Sequence, residues 1–561
     1  MKTLKATLGI ALTLVMTLSL IACGGTDNDV STQEPASPGT SETAPPTTTT
    51  QAPAQQTPAN IEAEAPAEGS NLADHIDIIC TGSVAVINPT IPAGAGADTA
   101  RIQDLLHDRL LEIRGPGDYR PGLAYEWETD DFQTIRFYLR DDVYFHNGDH
   151  FTADDVVFTL ETARENQTGT AFTRWRVVET INVVEPYIID VVLHTANYEY
   201  EFEFSHFATA IFSQRAFNEN PEDPMWTSVG TGPYRVVDFS SNDFIKLERN
   251  DDYWGEMPPT RSLTFWTIPE MTARRVMLSN GEAQMAFQLS PEDADAMLEN
   301  PDFNLIEDTG NIIVLAFNSQ GDDVMTCPYF RLAVAHALNL EEVALVANGN
   351  WAMAPPDGNM WGMVTPYRRS DLPAREYDLT LARGYLEQSV YNGGKIELST
   401  EGAANVRAAE MIQLQLGAIG IDIDVDVLDT ASLSDKIQYN PDSTRQMWVY
   451  AIGVGPSAIA TAVGQWYPGS GTNRFNVNDD DLTGMIDQLS VEGDPAAAQE
   501  LAYKIQKWLW DEIPGIPAYY IKAGIPVVQG VGGLHLWGDG HRYSLRGIYW
   551  DLNQTPAHLQ P

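Results

Sequence analysis

Basic side chains are scarce in this sequence: 33 Lys and Arg stand against 78 Asp and Glu, a net charge of -45 over 561 residues. That deficit excludes nucleic acid held by phosphate neutralisation, and it excludes a polybasic membrane patch. Cysteine is nearly absent too. Cys23, Cys80 and Cys327 cannot build a disulfide framework and do not have metal-ligand spacing, so no metal, cofactor or redox chemistry is expected. Beyond Asn71 no apolar run is long enough to span a bilayer. Catalytic signatures are missing as well. Gly393-Gly394-Lys395 is followed by Ile396, where a phosphate loop needs Ser or Thr, and neither G-x-S-x-G nor a Cys/His nucleophile arrangement occurs. The chain reads as a non-enzyme, although a pair of carboxylates could act across space without leaving a sequence pattern.

What the chain does have is a globular profile, 43% hydrophobic and 10% aromatic, and enough length for two to four domains. Its first 22 residues read as a secretory signal: Lys2 and Lys5 precede an apolar stretch from Ala6 to Ile21. The stretch ends in Leu20-Ile21-Ala22-Cys23, which resembles a bacterial lipobox and makes Cys23 the expected lipidation site. Residues 23–70 form the expected tether. Between Gly24 and Ser70 there are seven Pro, nine Thr, seven acidic residues and no aromatic, Lys or Arg. Such a composition buries too little apolar surface to offset the entropy of ordering. Its ends would lie about 35 to 40 Å apart, a reach suited to a body held off the outer face of a bacterial membrane.

From residue 71 onward, short β-branched and aromatic runs alternate with helical patterns, which predicts a mixed α/β (α+β) class. Ile135–Leu139 and Thr180–Val184 read as strands, and Ala404–Leu416 and Ala496–Trp508 as helices. Thr152 and Asp155 open a further helix as a variant capping box. Asp422, Asp424 and Asp426 mimic a calcium loop, but Val427 stands where glycine is required; alternation with Ile421, Ile423 and Val425 makes them the wet face of a strand. His146 and His150 flank an Asn147-Gly148 turn rather than lying on a metal-binding helix.

Leu123-Ala124-Tyr125-Glu126-Trp127, Phe145-His146-Asn147-Gly148, Phe151-Thr152-Ala153-Asp154-Asp155-Val156, Gly230-Thr231-Gly232-Pro233-Tyr234, Tyr253-Trp254-Gly255 and Phe317-Asn318 occur in that order. This ordered set resembles the family 5 solute-binding proteins of bacterial ABC importers, the oligopeptide, dipeptide and nickel type receptors. The resemblance implies a two-lobed, periplasmic-binding-protein-like fold with an enlarged first lobe, a hinge and an interlobe cleft. It places lobe one at residues 71–267 plus 524–561 and lobe two at 268–523. The implied molecule is a monomer, anchored by lipid at the cell membrane, that closes on a solute and passes it to permease subunits.

Peptide-binding members carry an acid in a W-x-x-D-Y-x-D-P-like segment that receives the peptide amino group. Here the corresponding stretch is Trp448-Val449-Tyr450-Ala451-Ile452-Gly453-Val454-Gly455-Pro456, with no acid, and nothing from Gln446 to Asn473 is charged. A 20% charged composition would place about five or six charges in those 28 residues. Trp448, Tyr450, Trp466 and Tyr467 in that stretch are candidates to stack on a ligand, or else to pack a core. Trp351 and Trp361 bracket a Pro/Gly/Met-rich loop and are expected to be exposed cleft residues. Asn318 and Tyr520 are hinge-proximal polar contacts by their position in the family. Peptides are the expected ligand, with a neutral oligosaccharide as the alternative within the family and a secreted glycan hydrolase as the reading from another class.

Overall fold

A computed structural model describes residues 65–82, 97–115, 117–166, 169–438, 440, 444–536 and 543–561. Cys23, the signal and most of the tether lie outside the described residues. Among the described residues, no helix is long and apolar enough to cross a membrane.

The class is mixed α/β, organised on one eleven-stranded sheet. Its strands run in the order Ile423–Val427, Ile396–Thr400, Met447–Ile452, Phe303–Phe317, Gly515–Val528, Met285–Ala286, His75–Cys80, Ser262–Thr267, Phe244–Arg249 and Tyr234–Ser240, with Ala352–Met353 added beside Gly515–Val528. Two of these strands are far longer than their neighbours and pair antiparallel along their whole length. One end of the pair, Phe303 with Ile525, Val527 and Val528, lies in a core built on His75–Cys80 and Ser262–Thr267. The other end, Ile312 to Phe317 against Gly515 to Tyr520, carries the cores of the second lobe. The register shifts between Thr309 and Ile312, so the pairing is irregular where the strands leave one core for the other.

A second, four-stranded antiparallel sheet completes the first lobe: Ala124–Glu128, Thr134–Leu139, Ile188–Leu193 and Val178–Glu185. The helix Ala153–Asn166 packs Val156, Leu160 and Ala163 onto it. Its start is fixed by the Asp155 carboxylate accepting from the Thr152 amide at 3.0 Å, the reciprocal half of a capping box.

Residue 267, the expected end of the first stretch of lobe one, is followed by a segment that packs back onto the core built on His75–Cys80. Leu278, Met285, Phe287, Met297 and Phe303 are buried in the first lobe's core, because Met285–Ala286 pairs parallel with His75–Cys80. The chain therefore reaches the second lobe only along the strand Phe303–Phe317. On the return, Ile521 packs with the second lobe and Ile525 with the first.

Candidate functional site

The half of the sheet in the second lobe is covered on both faces, and the period-two alternation of strands sorts its side chains between them. Met447 and Val449 face one core with Ile313, Leu315 and Phe317. Trp448, Tyr450 and Ile452 face the other, beside Ile312, Val314 and Ala316 of the paired strand. The helices Ala458–Trp466, Asp480–Val491 and Pro495–Glu512 and the loop around Trp361 cover that second face.

Five of the eight sequence candidates meet there: Trp361, Trp448, Tyr450, Trp466 and Tyr520 belong to one buried cluster. Trp361 and Trp466 stack with centroids 5.7 Å apart and planes 15° from parallel. Phe475 stands edge-on to Tyr450 at 6.0 Å. The Arg445 and Arg474 guanidiniums lie over the Trp448 and Tyr450 rings at 4.9 Å and 5.5 Å. Burial pushes the Arg445 guanidinium down to about 10.

Of the other three, Tyr467 packs against the edge of this cluster and the remaining two go elsewhere. Asn318 is buried with its amide committed: Nδ2 donates to the Arg445 carbonyl at 2.9 Å, and Oδ1 accepts from Asn476 at 2.8 Å. It ties chain segments together. Trp351 is buried rather than exposed; its Nε1 donates to Asp295 at 2.8 Å, and its ring covers Gly524, where an added Cβ would come within 2.1 Å. It braces the long strand pair. Tyr467 is half-buried, and a hydrogen bond to Asp487 raises its phenol's pKa. Trp361, also expected to be exposed, is fully buried, its indole donating to the Pro366 carbonyl at 3.0 Å.

The cluster is unusual in its unmet hydrogen bonding. Trp448 Nε1, Trp466 Nε1, Tyr450 Oη, Tyr520 Oη and Thr461 Oγ1 are all buried without a hydrogen-bond partner in the protein. Arg474 Nε is in the same state. Each such group costs about 1 to 3 kcal/mol when left unsatisfied. The Arg368 guanidinium faces Tyr520 and partly offsets the rise in its pKa that burial causes. Arg368 itself is held by Asp357 at 2.7 Å.

Sequence reasoning missed the first lobe's share. Tyr198 enters the same cluster, its hydroxyl also unpartnered and its ring 5.9 Å from Tyr367. Beside it, Glu199 crosses to the second lobe: its carboxylate accepts from Ser457 Oγ at 2.6 Å, the Ala458 amide at 2.7 Å and the Ile459 amide at 3.0 Å. Phe132 of the first lobe meets Gly493 of the second, so the lobes touch at several places. The sequence around Tyr198 points the wrong way. Tyr-Glu-Tyr-Glu-Phe-Glu-Phe alternates like a strand, yet Tyr200–Ser205 is a short helix. Tyr200 and Phe204, one turn apart, enter the small-sheet core while Phe202 is buried on the other side against Arg174.

Other motifs serve the scaffold. Asp424 and Asp426 pair with Lys395 and Lys436, each at 2.8 Å. His146 bonds the Gly232 carbonyl at 3.0 Å and His150 the Asp141 carbonyl at 2.7 Å. A cavity of about 760 Å³ is lined by first-lobe residues, including Glu112, Arg114, Trp254 and Arg546. Its Arg546 is bound to Asp108 at 2.8 Å and Glu112 at 3.2 Å, a closed network of charge.

With this geometry in place, comparison with known proteins gives consistent results. The family description "Bacterial extracellular solute-binding proteins, family 5 Middle" matches residues 118–474. The nickel-binding periplasmic protein of Escherichia coli K12 is 26% identical over 351 residues, spanning 57% of this chain and 65% of its own. The glutathione-binding protein GsiB of Salmonella typhi is 25% identical over 410 residues, 69% of this chain and 78% of its own. Among solved structures, the ABC transporter substrate-binding protein CtaP of Listeria monocytogenes superposes with a TM-score of 0.75 at 22% identity, covering 85% of this chain and all of that one.

Proposed function

Since the chain belongs to the bacterial extracellular solute-binding proteins of family 5, we propose that it captures peptides between its lobes and delivers them to the permease of an ABC importer. The observation that carries this reading is the cluster of unpartnered polar groups at the lobe contact, contributed by Tyr198 from one lobe and Trp448, Tyr450, Thr461, Trp466, Arg474 and Tyr520 from the other. Indole, phenol and guanidinium groups donate hydrogen bonds, so a ligand rich in carbonyl and carboxylate oxygens offsets their burial cost. Closing around such a ligand excludes water and strengthens each contact without any chemistry. The relative GsiB is named for glutathione, a tripeptide, which supports peptides as the class. Nickel does not carry over from the other relative, because among the described residues no group of three or more His, Cys, Asp or Glu could hold a metal ion.

Trp361, Trp448, Tyr450, Trp466 and Tyr520 form the proposed seat. Asn318, Trp351 and Tyr467 support it from outside. Lobe one comprises residues 71 to about 306 and the tail from about 524; lobe two lies between. Cys23 carries the lipid that anchors the mature chain outside the cell membrane. Labelling with a radioactive fatty acid checks this: the label enters the wild type and is lost in Cys23→Ala.

A neutral oligosaccharide is the second reading, favoured by the uncharged stretch from Gln446 to Asn473 with its aromatic rings. Native mass spectrometry of the purified protein separates the two. Retained peptides establish the first reading, and retained glycans replace it with the second. Release of a chemically altered solute would instead make the protein a hydrolase.

A further inference from the structure

We infer that Glu199 is the positioning residue that latches the two lobes together in the closed form, with or without solute, by completing in trans the hydrogen bonding of the helix Ala458–Trp466. This rests on the capture reading above. The first amides of a helix have no partner within it. Here Ser457 caps its own helix by accepting from Ala460 N at 2.9 Å, which leaves the amides of Ala458 and Ile459. Glu199 of the other lobe takes both, one on each carboxylate oxygen, and also receives the Ser457 hydroxyl. No charged residue lies on that helix, and burial of the carboxyl outweighs the pull of the helix N-terminus and of the hydrogen bonds toward its ionised form. When the lobes part, all three bonds break together.

Glu199 also follows the expected alternative badly. It stands at the start of the helix Tyr200–Ser205, where a side chain ordinarily caps its own helix, yet it makes no such bond. Its backbone is held for the crossing: the Glu199 amide donates to Asn197 Oδ1 at 2.8 Å.

Burial pushes the Glu199 carboxyl up to about 7, against the pull of its three hydrogen bonds. Facing it are the phenols of Tyr198 and Tyr367 and the carboxylate of Glu203, which is itself paired with Arg174 at 3.2 Å. Parting the lobes returns Glu199 to water and to an ordinary carboxyl range near 4.5. The closed form therefore binds the proton more tightly. Closing takes up a proton between those limits, and closure weakens as pH rises through 7, by about tenfold per unit between pH 5 and 7.

Hydrogen exchange of the Ala458 and Ile459 amides in the full-length, solute-free chain reads the latch directly, once intrinsic rates are corrected for pH. In the wild type, protection should fall about tenfold per unit from pH 5 to 7. Glu199→Gln keeps an acceptor but cannot titrate, so its protection should persist and lose that slope. Glu199→Ala should lower protection at least tenfold at pH 5. An unchanged Glu199→Ala, or a Glu199→Gln with the wild-type slope, would overturn the latch. Neither result touches the capture reading, which stands or falls on the solute retained in native mass spectrometry.

Discussion

The same strands of the second lobe present two faces that differ in one respect. Toward one core they present Met447, Val449, Ile313, Leu315, Phe317 and Tyr519, and the only hydroxyl among them is spent, Tyr519 donating to Asn405 at 2.7 Å. Toward the other they present Trp448, Tyr450 and Tyr520, whose polar atoms have no partner. Chain, strand geometry and depth of burial are shared. The difference is therefore one of satisfaction: the hydroxyl on the first face is partnered within the protein, and the polar atoms on the second are not.

Substitutions can test that contrast, beginning with the greatest expected effect. Phe317→Ala on the satisfied face should cost about 3 to 5 kcal/mol in urea unfolding of the solute-free protein, because it empties packed volume. Tyr519→Phe should cost about 1 kcal/mol by forfeiting the bond to Asn405. Its neighbour Tyr520→Phe should do the reverse: neutral or stabilising by up to about 1 kcal/mol without solute, and severalfold weaker in binding a retained peptide by calorimetry. Tyr450→Phe should behave like Tyr520→Phe. If both neighbours destabilise equally, the two faces are alike and the second is ordinary core.

Much of the scaffold could be read from sequence because local periodicity determines it. The strand expected at Ile135–Leu139 is Thr134–Leu139, and the helices expected at Ala404–Leu416 and Ala496–Trp508 are Ala403–Gly417 and Pro495–Glu512. The family resemblance carried the fold, and the absence of charge from Gln446 to Asn473 drew attention to Trp448, Tyr450 and Trp466. Two kinds of information stayed hidden. Trp351 and Trp361 sit in a segment whose Pro and Gly suggest an exposed loop, but helices from later in the chain cover Trp361 and the long strands cover Trp351. Glu199 was beyond reach for another reason: its partners lie some 258 residues away, and nothing local distinguishes it from Glu201 or Glu203. The return of the chain past residue 267 to the core of His75–Cys80 is hidden in the same way, since the two-residue strand Met285–Ala286 is too short to leave a pattern.

Phe303–Phe317 and Gly515–Val528 each serve the core of the first lobe and both cores of the second as one unbroken strand. Neither lobe can thus be inherited, exchanged or lost by itself: cutting between them severs both strands and bares their edges. A one-residue insertion within either strand would move every side chain beyond it in that strand to the opposite face. The paired strands therefore fix both lobes together, and a change in one strand's register is felt by every core it serves.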